Sequence, residues 1–467
     1  MRAIFKRAGR SLKRGLKYFL RHLEAVFLYP IKRLQEEGAY LSFWTGTGQR
    51  IRILAETMKK KRPCIDVVTE GIPVSSGEDY VPCRVNVFGC PEAYLLSEGA
   101  GIRVRGHSTA EQGEEKPYRI RFEKKESLLG LHDGAAFKSW VLLRTYHNLS
   151  PDYTAFMLYR AICGGKYYCS DAAFVNLYLN ERPLGVYLLC EQNQAVRGRI
   201  QVHKPRKGES GREIGYLLEL DQYAGEKHPF FTVEEKGPVT DIGGTERFLP
   251  ARDYSVKSPL RSEEHLAYIS SYLSGVYEVL YQASVNGRAM ALDQDFRPVP
   301  GEDRFMNPFE AVCDVIDAES LCCMILLHEL IQDYDVGMGG VFLAVDFSKE
   351  SKYPRLTFLG PWDFNWSCGE DPDQGFYACT FQKIIKGDRS NGWYILAARL
   401  EGMQTLLREK WKSLRKEGLL EEALDRISSE CEGLAQDLER QEFKLRGARL
   451  LTAFVERRII FLDRQWL

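Results

Sequence analysis

The stretch AFVNLYLNERPLGVYLLCE, residues 173–191, decides how the first half of the chain reads. Two apolar, alternating runs flank the polar break Asn180-Glu181-Arg182. A short polar turn that opens on Asn between two such runs predicts a β-hairpin. Upstream, CIDVVTEG (64–71), CRVNVFG (83–89), GIRVRG (101–106) and YRIRFEK (118–124) alternate in the same way. Together they predict an antiparallel sheet. WVLLRTYHN (140–148) leads through a turn at Ser150–Pro151 into DYTAFMLYRAI (152–162), whose apolar stripes predict the one helix of this half.

Downstream the texture changes. GYLLELDQY (215–223) is one more strand, but residues 205–262 otherwise mix Gly, Pro and charge and read as a long irregular segment. Helical spacing runs from Ser262 to Ala283, and residues 284–308 read as a loop. Glu310 to Leu330 reads as a single strongly apolar helix. VFLAVDF (341–347) and RLTFLGPWDF (355–364) are short strands around a charged turn. No proline follows Pro372, and residues 393–467 predict three or four helices broken at Gly418, Gly433 and Gly447. The expected class is α+β: a strand-rich half with one helix, then a mostly helical half.

Composition sets the outer bounds. The chain has 467 residues, 44% hydrophobic and 27% charged, which excludes disordered and low-complexity classes. It carries 64 basic and 64 acidic side chains, a balance that argues against general nucleic-acid binding. The balance is uneven. Residues 1–35 hold ten Lys or Arg and one acid, Glu24, a net +9 against −9 for the rest. Phe5, Leu12, Leu16, Phe19, Leu20, Leu23 and Phe27 recur at helical spacing among those charges, so residues 1–37 predict a basic amphipathic helix. Such a helix suits docking on the acidic body, an acidic partner or a membrane surface. The longest apolar run, Leu321 to Leu327, is far too short for a transmembrane helix. Twelve cysteines with no C-x-x-C pair and no secretory signal predict reduced thiols and a cytoplasmic location.

Three stretches carry candidate chemistry. ELIQDYDVGMGGVFLAVDF (329–347) places Asp333 and Asp335 after an apolar helix and before glycines and a strand. LTFLGPWDFNWSCGE (356–370) places Asp363 after another strand, between Trp362 and Phe364. Carboxylates in apolar surroundings are costly unless they are paired or bind a cation. One strand-end Asp holding Mg²⁺ and another facing a hydroxyl is what phosphoryl transfer needs. The same residues also fit plain Asx-turns or caps. GIRVRGHSTAEQGEEKPYRIRF (101–122) gathers Arg103, Arg105, Lys116, Arg119 and Arg121 around a small-residue turn, which fits either an anion grip or the solvated face of a hairpin. His328-Glu329 opens like a zinc H-E-x-x-H, but the fifth residue is Gln332, so the second ligand is missing.

Taken in order, DVVTEG, IRVRGHST, KPYRIRF, WVLL, VNLYLNERPLGVYLLCEQ, GYLLELD, YSVKSP, HELIQDYD and GPWDFNWSCGE resemble the CotH kinase family, spore-coat-type atypical protein kinases. The resemblance runs from about residue 62 to the C-terminus. It implies a two-lobed, protein-kinase-like fold: an extension over 1–61, a strand-rich lobe with one helix over 62–192, and a mostly helical lobe over 193–467. It implies ATP- and Mg²⁺- or Mn²⁺-dependent phosphoryl transfer to Ser or Thr of a protein, a basic Ser-rich coat protein among the acceptors, in the cytoplasm or spore coat. Carried over by position, Asp335 is the catalytic aspartate and Asp363 the metal-binding one. Arg105 and Ser108 lie in the phosphate-facing turn, Lys116, Arg119 and Arg121 on the strand that contacts phosphates, and Glu191 where the chain meets adenine. The sequence departs from the kinase pattern at Gly340, where a second metal-binding Asn is usual, at Asn365, where the family often has Asp, and in the blurred HNLSPDYTAF. These departures open a second reading, an inactive pseudokinase serving as scaffold in a coat-like assembly. A carbohydrate or phosphometabolite kinase is a third.

Overall fold

The computed structural model describes residues 62–106, 116–144, 151–234, 237–368, 372–373, 375–381, 383–384, 387–435 and 442–467. The basic stretch 1–37 and Ser108 lie outside them. The chain forms two compact units. The first is built from residues up to Tyr146 together with Ser170–Gln192; the second holds His147–Cys169 and Asn193–Leu467.

In the first unit, seven strands close into a barrel in the order β1-β2-β3-β4-β5-β7-β6. They are β1 (Cys64–Val68), β2 (Val81–Phe88), β3 (Leu96–Val104), β4 (Tyr118–Glu126), β5 (Phe137–Arg144), β6 (Ala172–Leu179) and β7 (Arg182–Cys190). The alternation seen in the sequence becomes an inside and an outside. Val85, Val87, Ile102, Val104, Tyr118, Ile120 and Phe122 are buried, while Arg119 and Arg121 face out between them. The hairpin of β6 and β7 turns through Asn180 (φ 50°) and Glu181 (φ 66°), the left-handed pair of a type I′ turn.

The sequence reading of a wholly antiparallel sheet needs correction here. β6 pairs parallel with β1, Cys64 opposite Asn176 and Val67 opposite Leu179, and this pairing closes the barrel. Asn180 fastens the seam: its Oδ1 accepts the Thr69 N–H at 2.8 Å, and its Nδ2 donates to the Thr69 hydroxyl at 2.8 Å. Local alternation shows that strands exist, not that the first and sixth meet. The helix expected in the strand-rich half, α1 (Pro151–Cys163), belongs to the second unit.

The second unit is built around a five-stranded antiparallel sheet in the order β16-β15-β8-β12-β9. Its strands are β8 (Gly215–Leu220), β9 (Phe230–Val233), β12 (Arg252–Val256), β15 (Val341–Asp346) and β16 (Thr357–Leu359); short pairs β10 (Val239–Thr240) with β11 (Glu246–Arg247), and β13 (Met290–Leu292) with β14 (Pro298–Pro300), lie between them in the chain. Beyond the expected β8, the segment 205–262 is therefore not irregular; it supplies two further strands of the central sheet. Gly and Pro mark its turns.

Helices α2 (Glu263–Asn286), α3 (Pro308–Val315), α4 (Ala318–Ile331), α5 (Gly392–Ala398), α6 (Glu401–Glu417), α7 (Leu419–Ala435) and α8 (Glu442–Trp466) complete the unit. The apolar stretch 310–330 splits in two because Asp317 caps a new helix, its Oδ1 accepting the Ser320 N–H at 3.1 Å. Gly418 breaks the terminal helices as expected, in a left-handed cap, but Gly433 lies inside α7 and Gly447 inside α8.

One buried ion pair ties this unit together. Glu329 of α4 and Arg458 of α8 are both fully buried, with Arg458 Nη2 at 2.7 Å from Glu329 Oε2. Arg458 Nε donates to the Glu329 carbonyl at 2.6 Å, and the Glu329 carboxylate also accepts the N–H groups of Tyr377 (2.8 Å) and Cys379 (2.9 Å). The carboxylate thus fixes two helices and a loop. All twelve cysteines are free thiols, eight of them buried, and burial pushes Cys90 and Cys323 up to about 12.

Two tests follow from this packing. Arg458→Met leaves Glu329 buried without its cation and should lower unfolding stability by about 3–5 kcal/mol, read from urea denaturation; a loss under about 1 kcal/mol would mean that the pair is dispensable. Because the thiolate is the reacting species, native protein at about pH 8 should take up iodoacetamide slowly, and labelling of all twelve thiols, the eight buried ones included, should require unfolding. Mass spectrometry of native and urea-treated samples reads this directly.

Candidate active site

The register of the central sheet of the second unit brings the acidic segments to one edge. Val341 pairs with Leu220, and Phe342 lies between Glu219 on one side and Leu359 on the other. The start of β15 therefore meets the ends of β8 and β16. Asp335 precedes β15, Asp221 follows β8 and Asp363 follows β16.

The loop that carries Asp335 is held at many points. Helix α4 stops in a left-handed Gln332 (φ 45°), and Asp333 Oδ1 then accepts the Asp335 N–H at 3.2 Å, an Asx-turn. Asp333 is the buried, structural member of the pair: its Oδ2 lies 3.3 Å from His328 Nδ1. The Asp335 carbonyl accepts the Met338 N–H at 2.8 Å, which closes the next turn. The Asp335 carboxylate pairs with Arg389, whose guanidinium lies 4.7 Å over the Tyr334 ring. The backbone at 389–390 packs so closely that a Cβ on Gly337 would sit 2.1 Å from the Ser390 oxygen.

Asp363 occupies the left-handed region at φ 66°, a strained setting for a non-glycine residue. The Phe364 N–H donates to Asp152 Oδ1 at 3.1 Å, Trp366 O accepts the Tyr334 N–H at 3.1 Å, and Asn365 Nδ2 donates to Asp363 Oδ1 at 2.7 Å. The Asp363 turn and the Asp335 loop are thus bonded to each other. Gly340 explains itself: at φ 74°, a Cβ there would sit 2.3 Å from the Trp362 oxygen. No side chain fits, so the usual asparagine is excluded by a close backbone approach.

Three charged residues that sequence reasoning did not single out complete this edge. Lys257 Nζ lies 2.8 Å from Glu219 Oε2 and 2.9 Å from Asp221 Oδ2, all three side chains largely buried. Burial pushes Glu219 up to about 7, against the pull of Lys257, with the Asp221 and Asp363 charges adding to the push. Burial opposes the Lys257 charge too, but the two carboxylates outweigh it and its pKa rises. Arg389 and Asp152 were also missed. Single charges on a strand read as solvated face, and an Asp in a helix's first turn reads as a cap; their distant partners leave no local signal.

In the first unit, Arg103 and Arg119 face each other across β3 and β4, with Arg121 two residues further along the same face. Arg119 is held below the usual arginine range, first by burial and then by Arg103, Arg105 and Arg121. A crowd of guanidinium groups of this kind suits an anion. Arg103 also lies 5.3 Å from the Tyr80 ring. Lys116 accepts a hydrogen bond from the Tyr187 hydroxyl at its carbonyl, 3.0 Å away. Glu191 is fully buried; its Oε2 accepts the Asp171 N–H at 3.0 Å and lies 2.8 Å from His132 Nδ1, and its own N–H donates to the Asp171 carbonyl. Both its carboxylate and its amide serve the barrel.

The residues at the sheet edge fit a hard divalent cation only in a particular way. Asp363 offers a carboxylate, one oxygen of which accepts the Asn365 amide N–H, but among the described residues no three acidic, His or Cys side chains form a metal cage. Mg²⁺ is commonly held by one or two carboxylates with phosphate oxygens and water completing the shell. The donor set matches that habit and not a protein-only site.

Residues 102–246 match the profile of the family described as CotH kinase protein. No curated protein matches the chain. The matched stretch contains the arginine cluster, Glu219 and Asp221; Lys257, Asp335 and Asp363 lie beyond it. Over residues 102–246, then, the chain is similar to the CotH kinase protein family.

Proposed function

We propose that this protein is an ATP- and divalent-metal-dependent phosphotransferase that acts on Ser or Thr of a protein acceptor. The observation that carries the reading is the pairing of two aspartate loops, Asp335 and Asp363, cross-bonded through Tyr334 and Trp366 at one sheet edge. The family match supports a kinase-like activity.

Transfer of a γ-phosphoryl group asks little covalent chemistry of the protein. It asks for positioning and for charge aimed at the phosphate oxygens. Arg103, Arg105, Arg119 and Arg121 supply cationic donors suited to phosphates, and Ser108 belongs by sequence to the same turn. Asp363, with Asn365 beside it, is the group that would hold Mg²⁺ or Mn²⁺, which when bound neutralises phosphate charge. Asp335 is set to accept a hydrogen bond from the acceptor hydroxyl and orient it. Its ion pair with Arg389 sets a guanidinium beside that carboxylate. A basic Ser-rich protein of a spore coat remains the acceptor that the resemblance suggests, and it is proposed on that ground alone.

A second reading, an inactive scaffold, draws on Gly340. The close approach of the Trp362 oxygen weakens it, because glycine there is a packing requirement. A fold that keeps its second loop at the Asp335 edge by excluding a side chain has a reason for glycine other than lost chemistry.

Mutants separate these readings. Asp363→Asn should abolish the thermal stabilisation that ATP with Mg²⁺ or Mn²⁺ gives the wild type, since a native-state ligand raises the melting temperature by mass action. Asp335→Asn should keep that stabilisation and lose roughly 10²-fold or more in turnover. Equal metal-dependent shifts in wild type and Asp363→Asn would remove Asp363 from its role, and undiminished phosphate transfer by Asp335→Asn would do the same for Asp335. Gly340→Asn should not restore a metal ligand. It should cost about 1–3 kcal/mol of stability through backbone strain and lower activity, measured by urea denaturation and phosphate incorporation.

A further inference from the structure

Lys257 has no role in the chemistry above, yet its ammonium is a junction between both aspartate loops. One path leads to Asp335. Lys257 Nζ holds Asp221 Oδ2 at 2.9 Å, and Asp221 Oδ1 in turn accepts the Tyr223 N–H at 2.9 Å, which shapes the turn after β8. From that turn the Gln222 N–H donates to the Met338 carbonyl at 3.0 Å, and the Met338 N–H donates to the Asp335 carbonyl at 2.8 Å. The other path leads toward Asp363. Lys257 Nζ holds Glu219 Oε2 at 2.8 Å, and Glu219 lies opposite Phe342, which lies opposite Leu359 at the end of the strand that Asp363 follows. The Asp363 charge is felt at Glu219. The Lys257 backbone is itself pinned, its N–H donating to the Leu217 carbonyl at 2.7 Å.

We infer that Lys257 is a positioning residue for the phosphotransfer site, its ammonium clamping the end of β8 so that the 335–339 loop keeps its geometry. The inference rests on the proposed function for its kinetic consequence, and on hydrogen bonds alone for its structural one. Lysine suits the task because a compact ammonium can satisfy two carboxylates from one point, whereas a guanidinium spreads its donors over a wider fork. A misplacement on the order of 1 Å at a reacting group can cost about 10²-fold in rate.

The test compares wild type with Lys257→Met and Lys257→Arg. Amide hydrogen exchange, followed by mass spectrometry, should speed up about tenfold or more in peptides spanning 333–340 in Lys257→Met, with peptides from the second half of α8 unchanged. Phosphate transfer by the folded fraction should fall about 10- to 100-fold in kcat with KM for ATP unchanged. Lys257→Arg should recover part of both losses. If Lys257→Met does not fold, Asp221→Asn carries the same expectation, because it cuts the path to Gln222 and leaves the Glu219 pair. Unchanged exchange over 333–340 would overturn the inference, as would a kcat unaltered per folded molecule in a protein whose wild type transfers phosphate. Local loosening of 333–340 in a protein whose wild type transfers no phosphate would uphold the positioning role and defeat the proposed function instead.

Discussion

The second unit is organised around a charge that has nowhere to go. Glu329 sits in the last turn of α4, fully buried, three residues before the Gln332 cap that releases the chain toward Asp333 and Asp335. A lone carboxylate there would carry a penalty of several kcal/mol. Arg458 and two backbone N–H groups answer it, and in doing so they set where α8 and the 377–379 loop pack against α4. The apolar surface of α4 is buried all round, so packing alone gives it little rotational preference. The ion pair supplies the direction that hydrophobicity lacks.

That constraint passes to the site through the end of α4. The left-handed Gln332 turns the chain, Asp333 catches the Asp335 N–H, and Cys368 donates its N–H to the Ile331 carbonyl at 2.8 Å. The loop that carries Asp363 is therefore tied to the same helix end that begins the Asp335 loop. Buried polar groups that are fully bonded rigidify what they touch. Here they rigidify the backbone around two carboxylates and leave those carboxylates at the rim of the sheet.

What was legible in the sequence follows from range. Strands β1 to β8 and helix α1 were readable because alternation and helical spacing are local. The Asn180 turn was readable because φ above zero is confined to few residue types. The parallel seam between β1 and β6, the two strands hidden in 205–262 and the helix break at Asp317 were not, because each depends on a partner far along the chain. The site divides the same way. Asp335 and Asp363 stood out as acids just beyond apolar runs. Lys257, Arg389 and Asp152 did not, since their partners are 36, 54 and 212 residues away respectively.

Glycine at 340 shows why a motif should be weighed against the backbone that carries it. Counted as a missing asparagine, it argues for lost catalysis. Placed in the fold, it is the residue that lets the Trp362 carbonyl approach the start of β15, and so lets the Asp363 turn reach the edge where Asp335 and Glu219 are held. A side chain at 340 would push those loops apart. The constraint also bears on the proposed metal: with no side-chain donor possible at 340, a cation at Asp363 would complete its shell from neighbouring groups, phosphate or water. Mg²⁺, which gives up its waters reluctantly, tolerates such a site. The absence of an asparagine would then change how a cation is held there, and does not by itself argue against the proposed site.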